Sequence, residues 1–341
     1  MSARFVMLGS HPKMTGALHV YQMKGNGVEL VAKAERPSAL KSGTFGASGL
    51  LERQLAAGDF AGKLAVYDLE RLNTPVWQAQ AHASLVNQVD GAGGAARGFG
   101  APEMATCGRD GAVRVWDQRQ PDAPVAAFEP ADGTDQSRDA WCVAFGDSHD
   151  DTHRSLLAGY DNGDVKLFCL RTNKVRWETN VRNGVCGVEF DRRDIKMNKF
   201  LVSCLEAKVH AFDARTQHPT RGFAQHTLPV GGDTARDQGG GLTVWGSRTL
   251  PQNRDVTAVL GGDGTLRLYR YRYPAPRRVE DADGVPMGVA GKLDLVAERN
   301  LSPQPIGSFD WSPDKEGLCV MSCYDQTARV AIVTKLQTVG A

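Results

Sequence analysis

The sequence predicts an all-β fold in which seven similar sheets form the blades of a propeller. Two observations carry this prediction. A short phrase, made of a turn dipeptide, alternating apolar residues and an aromatic residue, recurs along the 341-residue chain. The shorter intervals between its copies are close to the roughly 40 to 45 residues of one four-stranded blade. The 38 glycines also suit a turn-rich chain better than a helical one.

The clearest copy of the phrase runs from Gly108 to Trp116 and is followed by Asp117. Its Asp-Gly dipeptide accepts the positive φ of a tight turn, and Val113 and Val115 alternate as in a strand with one buried face. Each copy therefore predicts the hairpin between the second and third strands of a blade. The other copies are Thr15-Gly16 to Tyr21, Ala61-Gly62 to Tyr67, Asn162-Gly163 to Phe168, Glu206-Ala207 to Phe212, Asp263-Gly264 to Tyr269 and Asp325-Gln326 to Ala331.

Seven copies predict one seven-bladed WD40-type β-propeller that spans residues 1–341 as a single domain. Apolar segments that precede the phrases, such as Trp141 to Gly146 and Phe309 to Trp311, predict the first strands of blades. Three segments break the repeat and predict loop insertions. They are the glycine-rich segments at about 91–100 and 231–241 and a basic-then-acidic segment at about 270–291.

A buried structural tetrad is predicted in the third blade from His82, Thr106, Asp110 and Trp116, which occupy the positions of a WD-repeat hydrogen-bond network. Such a network satisfies buried polar groups and needs no catalytic role. Other blades depart from the pattern, since Ala61, Asn162 and Glu206 replace the turn aspartate. We therefore expect those blades to depend more on packing.

Charge and cysteine content narrow the classes of function. Forty Lys and Arg against 39 Asp and Glu give a formal net charge of +1, so no whole-molecule field attracts nucleic acid or an anionic membrane. The seven cysteines include no C-x-x-C pair, which favours a reducing compartment. Residues Met1 to Ser10 lack the apolar stretch of a secretory signal. These features predict a cytoplasmic protein.

Motifs for catalysis, metal binding or cofactor binding are weak or absent. Gly91 to Ala96 matches G-x-G-x-x-A, but the strand-like residues Met104 to Thr106 follow where a dinucleotide site needs a helix. His149 to His153 contains metal-ligand types without a second cluster. No G-x-S-x-G or H-E-x-x-H motif occurs. We therefore predict no catalytic residues, no metal site and no cofactor, and so no enzyme.

A run of arginines interleaved with tyrosines offers a nucleic-acid interpretation. The chemistry suits RNA, because arginine neutralises phosphate and tyrosine stacks on bases. Glu280, Asp281 and Asp283 follow directly and cancel much of the local field, so we predict a solvated loop and no nucleic-acid partner. The run consists of Arg267, Tyr269, Arg270, Tyr271, Arg272, Tyr273, Arg277 and Arg278.

Several strings outside the repeat resemble one WD-repeat family, the Monad family of dynein axonemal assembly factors. The resemblance covers about residues 4–336. The strings are Gly43-Thr44-Phe45-Gly46-Ala47, Arg176-Trp177-Glu178-Thr179-Asn180, Asn183-Gly184-Val185-Cys186, Glu189-Phe190-Asp191-Arg192, Arg215-Thr216-Gln217-His218-Pro219-Thr220, Leu250-Pro251-Gln252-Asn253-Arg254, Met287-Gly288-Val289-Ala290-Gly291 and Ile332-Val333-Thr334-Lys335-Leu336. The chain starts later than members of that family, so we expect an incomplete first blade.

The resemblance implies a monomeric, non-enzymatic adaptor of the PAQosome, a co-chaperone assembly used to preassemble the dynein motors of cilia in the cytoplasm. Its implied partners are co-chaperone ATPases, prefoldin-like and tetratricopeptide subunits, and dynein heavy chains as clients. Affinity is expected from aromatic and charged anchors at repeat-equivalent positions. The candidates are Phe60, Arg109, Trp141, Tyr160, Asp161, Trp245 and Tyr324.

A second class of function stays open. Trp116-Asp117-Gln118-Arg119 and Phe212-Asp213-Ala214-Arg215 look like the paired W-D-x-R boxes of substrate receptors of cullin-type ubiquitin ligases. In that alternative Arg119 and Arg215 contact the ligase adaptor. An arginine at this position also serves in many WD repeats only to bond the neighbouring strand, which is the competing interpretation.

Overall fold

The computed structural model describes residues 3–25, 27–49, 51–94, 98–120, 123–130, 138–150, 152–231 and 242–336. Two compact units divide the chain. The first contains Met1–Asp161 and Lys166–Arg176, and the second contains Asn162–Val165 and Trp177–Ala341. Among the described residues, no helix is long and apolar enough to cross a membrane.

The first four sheets are antiparallel meanders of consecutive strands. Sheet one has β1 (Arg4–Ser10), β2 (Gly16–Lys24) and β3 (Gly27–Arg36). Sheet two has β4 (Leu40–Thr44), β5 (Gln54–Asp59), β6 (Lys63–Asp68) and β7 (Trp77–Gln80). Sheet three has β8 (Val86–Ala92), β9 (Glu103–Gly108), β10 (Val113–Trp116) and β11 (Ala126–Phe128). Sheet four has β12 (Ala140–Gly146), β13 (Ser155–Tyr160), β14 (Asp164–Cys169) and β15 (Lys174–Asn180).

The last three sheets repeat the meander with one insertion. Sheet five has β16 (Val185–Phe190), β17 (Lys199–Cys204), β18 (Lys208–His218) and β19 (Gly222–Pro229). Sheet six has β20 (Val244–Leu250), β21 (Asn253–Gly261), β22 (Thr265–Arg272) and β25 (Lys292–Asn300), with the separate hairpin β23 (Arg278–Glu280) and β24 (Pro286–Gly288) between its last two strands. Sheet seven has β26 (Ile306–Trp311), β27 (Leu318–Cys323) and β28 (Ala328–Ile332).

These seven sheets confirm the predicted seven-bladed β-propeller. Each recurring phrase forms the hairpin between the second and third strands of its blade, as β9 and β10 do around Gly111, whose φ is 76°. The first sheet has three strands among the described residues, and β1 and β2 hold the places of second and third strands. That arrangement agrees with the predicted incomplete first blade.

A β-bulge recurs at the start of the first strand in blades two to seven. The register shifts by one residue after the opening pair of each strand, so one residue is left unpaired. The unpaired residues are Lys41, Asn87, Trp141, Cys186, Trp245 and Gly307. In an antiparallel meander, this point lies at the same sheet end as the hairpin between strands two and three. We call this end of each sheet its turn end and the opposite one its loop end.

The apolar faces of neighbouring sheets bury the core, and the alternating pattern places the larger side chains there. In the first unit Phe145, Leu156 and Val113 belong to one cluster that is shut off from solvent. In the second unit Trp177 packs on Phe200 and Phe212, with ring centroids 5.8 and 5.5 Å apart. All seven cysteines are free.

The predicted insertions differ in detail from the structure. Gly91 and Ala92 belong to β8, because they pair with Met104 and Glu103 of β9. The segment at 270–291 is not a plain loop, since it completes β22 and contains the hairpin β23–β24. Residues 95–97 and 232–241 lie outside the described residues.

Candidate functional site

The four predicted tetrad residues form one chain of hydrogen bonds in blade three. His82 Nδ1 lies 2.8 Å from Asp110 Oδ1, and His82 Nε2 lies 2.9 Å from Thr106 Oγ1. Trp116 Nε1 donates to the same Thr106 oxygen over 3.1 Å. A neutral imidazole that donates from Nδ1 and accepts at Nε2 satisfies every polar atom of this chain. The arrangement ties strands β9 and β10 to the segment before β8.

Asp110 receives further donors that keep it ionised. The backbone N–H groups of Ala83 and Ala112 donate to its carboxylate, each over 3.2 Å, and Arg114 Nη1 lies 3.1 Å from Oδ2. Burial alone would raise the pKa of Asp110, but the hydrogen bonds from His82, Ala83 and Arg114 outweigh it, and the pKa is well below its usual range. The carboxylate is a structural anion.

Arginines four residues after the turn aspartate were missed by the sequence analysis. In blade six Arg267 donates to both oxygens of Asp263, over 3.1 and 2.7 Å, and to Glu298 over 3.2 Å. In blade seven Arg329 donates to one oxygen of Asp325 over 2.7 Å and to Thr327 over 3.1 Å. Blades six and seven, which keep the turn aspartate, therefore also use an ion pair at this position. The sequence signal was an arginine two positions before the last residue of the phrase, Tyr269 in blade six and Ala331 in blade seven.

The candidate partner-binding residues lie at the turn ends of their blades. In the first unit Phe60, Arg109 and Asp161 occupy turns between second and third strands, and Trp141 is a bulge residue. Phe60 is 40% exposed, and the exposed Arg109 lies 3.9 Å from Asp139. These side chains are accessible or half-buried, as a docking surface requires.

Tyr160 departs from that pattern because it is buried. It ends β13, and Lys166 Nζ lies 5.4 Å from the centre of its ring. A ring enclosed in this way packs the blade and offers little surface to a partner. Tyr160 is therefore a core residue in this fold.

In the second unit the structure brings two candidates into contact. The rings of Trp245, the bulge residue of blade six, and Tyr324, in the turn of blade seven, have centroids 5.5 Å apart. Tyr324 remains 56% exposed. Gly307 provides the room, because a Cβ at that position would lie 2.6 Å from the tyrosine ring. The pair forms an accessible aromatic surface at the turn end.

The two W-D-x-R boxes are not equivalent. Arg119, with a side chain 66% exposed, folds back on Asp117 of its own box and donates to both carboxylate oxygens. In the second box the exposed Arg215 donates only its backbone N–H to Asp213. The carboxylate of Asp213 is bound instead by Arg277, with Nη2 at 2.5 Å and Nε at 3.2 Å.

Two tyrosines of the arginine–tyrosine run are buried, and a third bonds a buried lysine. Tyr269 and Tyr271 are buried, and Lys199, only 3% exposed, lies 2.7 Å from Tyr273 Oη. Lys199 also contacts Asp191 at 3.0 Å and Asp255 at 3.1 Å. Burial would lower the pKa of Lys199, but the two carboxylates and Tyr273 outweigh it and raise the pKa. Burial of Tyr269 and Tyr271 and the bond to Tyr273 leave little of these rings for the stacking that the RNA interpretation needed.

The hairpin β23–β24 is fastened to blade five. His218 accepts backbone N–H groups of Thr220 and Arg221 at Nδ1, over 3.2 and 3.1 Å, so its proton is on Nε2. That N–H donates to Asp281 over 3.0 Å. Asp281 in turn accepts the backbone N–H of Val285. Asp281 of the acidic part of the insertion therefore holds the hairpin to blade five.

Three polar side chains of the segment at His149–His153 lie close together. His149, Asp150 and His153 place one ligand atom each within 4.8 Å of one another. His153 Nδ1 lies 2.7 Å from Asp150 Oδ2, so the group is bonded internally. Asp151, and Ala95 and Ala96 of the G-x-G-x-x-A pattern, lie outside the described residues.

Comparisons with known proteins agree with this geometry. The WD domain, G-beta repeat family matches residues 73–117. A chain in the crystal structure of the mitotic checkpoint complex superposes with a TM-score of 0.66 at 15% identity, over 96% of this chain and 86% of that one. The β-propeller domain of Cps50 (Swd1) from Myceliophteria thermophila gives a TM-score of 0.65 at 11% identity, over 97% and 100%. The fold and the repeated turns define a WD-repeat β-propeller.

Relatives with high identity narrow the class to one family. Dynein axonemal assembly factor 10 of Chlamydomonas reinhardtii is 59% identical over 338 residues, which are 99% of this chain and 92% of that protein. The Homo sapiens protein of the same name is 48% identical over the same shares. The Xenopus laevis one is 51% identical over 98% and 91%. The chain belongs to the dynein axonemal assembly factor 10 family.

Proposed function

We propose that this protein is a non-enzymatic scaffold that acts in the cytoplasmic preassembly of axonemal dynein arms. The observation that carries the proposal is identity of 48 to 59% to dynein axonemal assembly factor 10 over nearly the whole chain. The polar clusters support a role without catalysis, because the donors and acceptors of the tetrad and of the Lys199 network pair with one another in structural hydrogen bonds.

The partners we propose follow from the family resemblance. They are co-chaperone ATPases, prefoldin-like and tetratricopeptide subunits, and dynein heavy chains as clients, bound by a monomeric propeller. The turn-end residues supply the contacts, and the pair Trp245 and Tyr324 is the strongest anchor because exposed aromatic rings dominate many interfaces. Phe60 and Arg109 are the corresponding anchors of the first unit.

The test is rescue of cells that lack the protein. We expect such cells to build axonemes of near-normal length that are short of dynein arms, because a preassembly factor acts on motors and not on the microtubule scaffold. The wild-type chain should restore the arms, and Tyr324→Ala with Trp245→Phe should not. Leu295→Ala with Val296→Ala is the matched control, since both residues are exposed on β25 away from the turn. Full arms in cells without the protein would contradict the proposal.

A further inference from the structure

Lys199 forms hydrogen bonds to several segments at the loop ends of blades five and six. Its ammonium bonds Asp191 after β16, Asp255 in β21 and Tyr273 after β22. The insertion adds Arg277, which donates to Asn198 over 3.0 Å and to Asp213 in β18. Bonds between residues this far apart in sequence fix the relative positions of the segments, because each buried charge is costly to leave unpaired.

An exposed cation lies beside an anchor in each of four segments. Lys196 precedes Asn198, Arg215 follows Asp213, Arg254 precedes Asp255 and Arg278 follows Arg277. Within the described part of the chain, none of the four forms an ion pair. We call Lys196, Arg215, Arg254 and Arg278 the basic patch.

Most carboxylates near the basic patch are already bound, while Glu280 and Asp283 of the hairpin stay exposed. Asp191 and Asp255 are held by Lys199, and Asp213 is held by Arg277. Asp194 pairs with Arg192, and Asp294 pairs with Arg272 at 2.5 Å. The four exposed cations therefore outnumber the two exposed carboxylates of the hairpin, which leaves a local excess of positive charge in a chain whose formal net charge is only +1.

We propose that the basic patch binds an acidic peptide segment of a partner protein. Exposed guanidinium groups pair with carboxylates in a two-pronged geometry, and three of the four cations are arginines. Single-stranded nucleic acid would also need exposed aromatic rings for stacking. Here Tyr271 is buried, and the ring of Tyr273 has Lys199 Nζ at 4.9 Å and the Arg277 guanidinium at 4.6 Å from its centre. These rings are therefore covered by side chains of the protein itself and cannot stack on bases, so the basic patch suits carboxylates better than nucleic acid.

The experiment measures fluorescence anisotropy of a labelled glutamate-rich peptide and of a labelled single-stranded RNA with the full chain. The patch variant combines Lys196→Gln, Arg215→Gln, Arg254→Gln and Arg278→Gln. The control variant removes the same charge from exposed residues of the first unit by combining Lys13→Gln, Lys33→Gln, Lys63→Gln and Arg71→Gln. Thermal melting of both variants checks that the fold is intact, and single patch substitutions replace the combined variant if it melts early.

We expect the patch variant to bind the peptide about tenfold more weakly, with a smaller dependence on salt, and the control variant to bind as the wild type does. Equal weakening in both variants would show a nonspecific charge effect and overturn the inference. So would tighter binding of RNA than of peptide, or no peptide binding by the wild type. The inference goes beyond the role in dynein assembly. Peptide binding is measured on the purified chain and dynein arms are scored in cells, so the two proposals can fail independently.

Discussion

Removing the carboxylate of Asp263 should destabilise blade six about as much as removing Asp110 destabilises blade three. The sequence predicts a smaller effect at Asp263, because its blade shows no tetrad histidine. The structure places Arg267 there instead, with a side chain only 8% exposed and both carboxylate oxygens of Asp263 as acceptors. Asp263→Ala leaves this guanidinium with Glu298, whose side chain is 54% exposed.

The expected loss of unfolding free energy depends on how deeply the donor left without its acceptor is buried. Asp110→Ala leaves the buried His82 Nδ1–H unsatisfied, which costs about 1–3 kcal/mol. Breaking a fully buried ion pair costs about 3–5 kcal/mol, and the partial exposure of Asp263 reduces this to about 2–3 kcal/mol. The two substitutions should therefore lower the free energy of unfolding by similar amounts.

Chemical denaturation followed by tryptophan fluorescence compares the two variants. The double variant Asp263→Ala with Arg267→Met should recover most of the loss, because it removes the uncompensated charge. Asp283→Ala, at an exposed turn of the hairpin, serves as the control and should leave the midpoint unchanged. A loss at Asp263 well below half of that at Asp110, or no recovery in the double variant, would refute the reasoning.

Two further predictions concern pH and the W-D-x-R boxes. Burial lowers the pKa of His210 from 6.5 to about 4, so the unfolded chain binds a proton that the folded chain does not, and stability falls as pH decreases from about 6.5 to about 4. At pH 5 this should cost about 1–2 kcal/mol relative to pH 7 in urea titrations, and His210→Gln should flatten the profile. Arg119→Ala should preserve dynein arms in the rescue assay, since this side chain folds back on Asp117 of its own box. Loss of binding to a ligase adaptor in the variant Arg119→Ala with Arg215→Ala, with accumulation of a substrate, would instead support a ubiquitin-ligase receptor.

The sequence by itself determined the number of blades and the place of each hairpin. These features are local, because a turn dipeptide and the alternation around Val113 specify a hairpin within about ten residues. The tetrad of blade three was also predictable, since His82, Thr106, Asp110 and Trp116 hold fixed positions in one repeat. Its bonds then follow from strand register.

Tertiary structure decided the uses of the remaining polar residues. Arg277 and Asp213 are 64 residues apart, and Lys199 and Tyr273 are 74 apart, so no periodic pattern pairs them. The same limit applies to Trp245 and Tyr324, which meet only because neighbouring blades place a bulge beside a turn. Which tyrosines are buried, which carboxylates are already bound and which cations remain exposed depend on contacts between distant segments. The physical reason is that hydrophobic alternation encodes each strand separately, whereas the pairing of buried charges depends on how the strands and their insertions pack together.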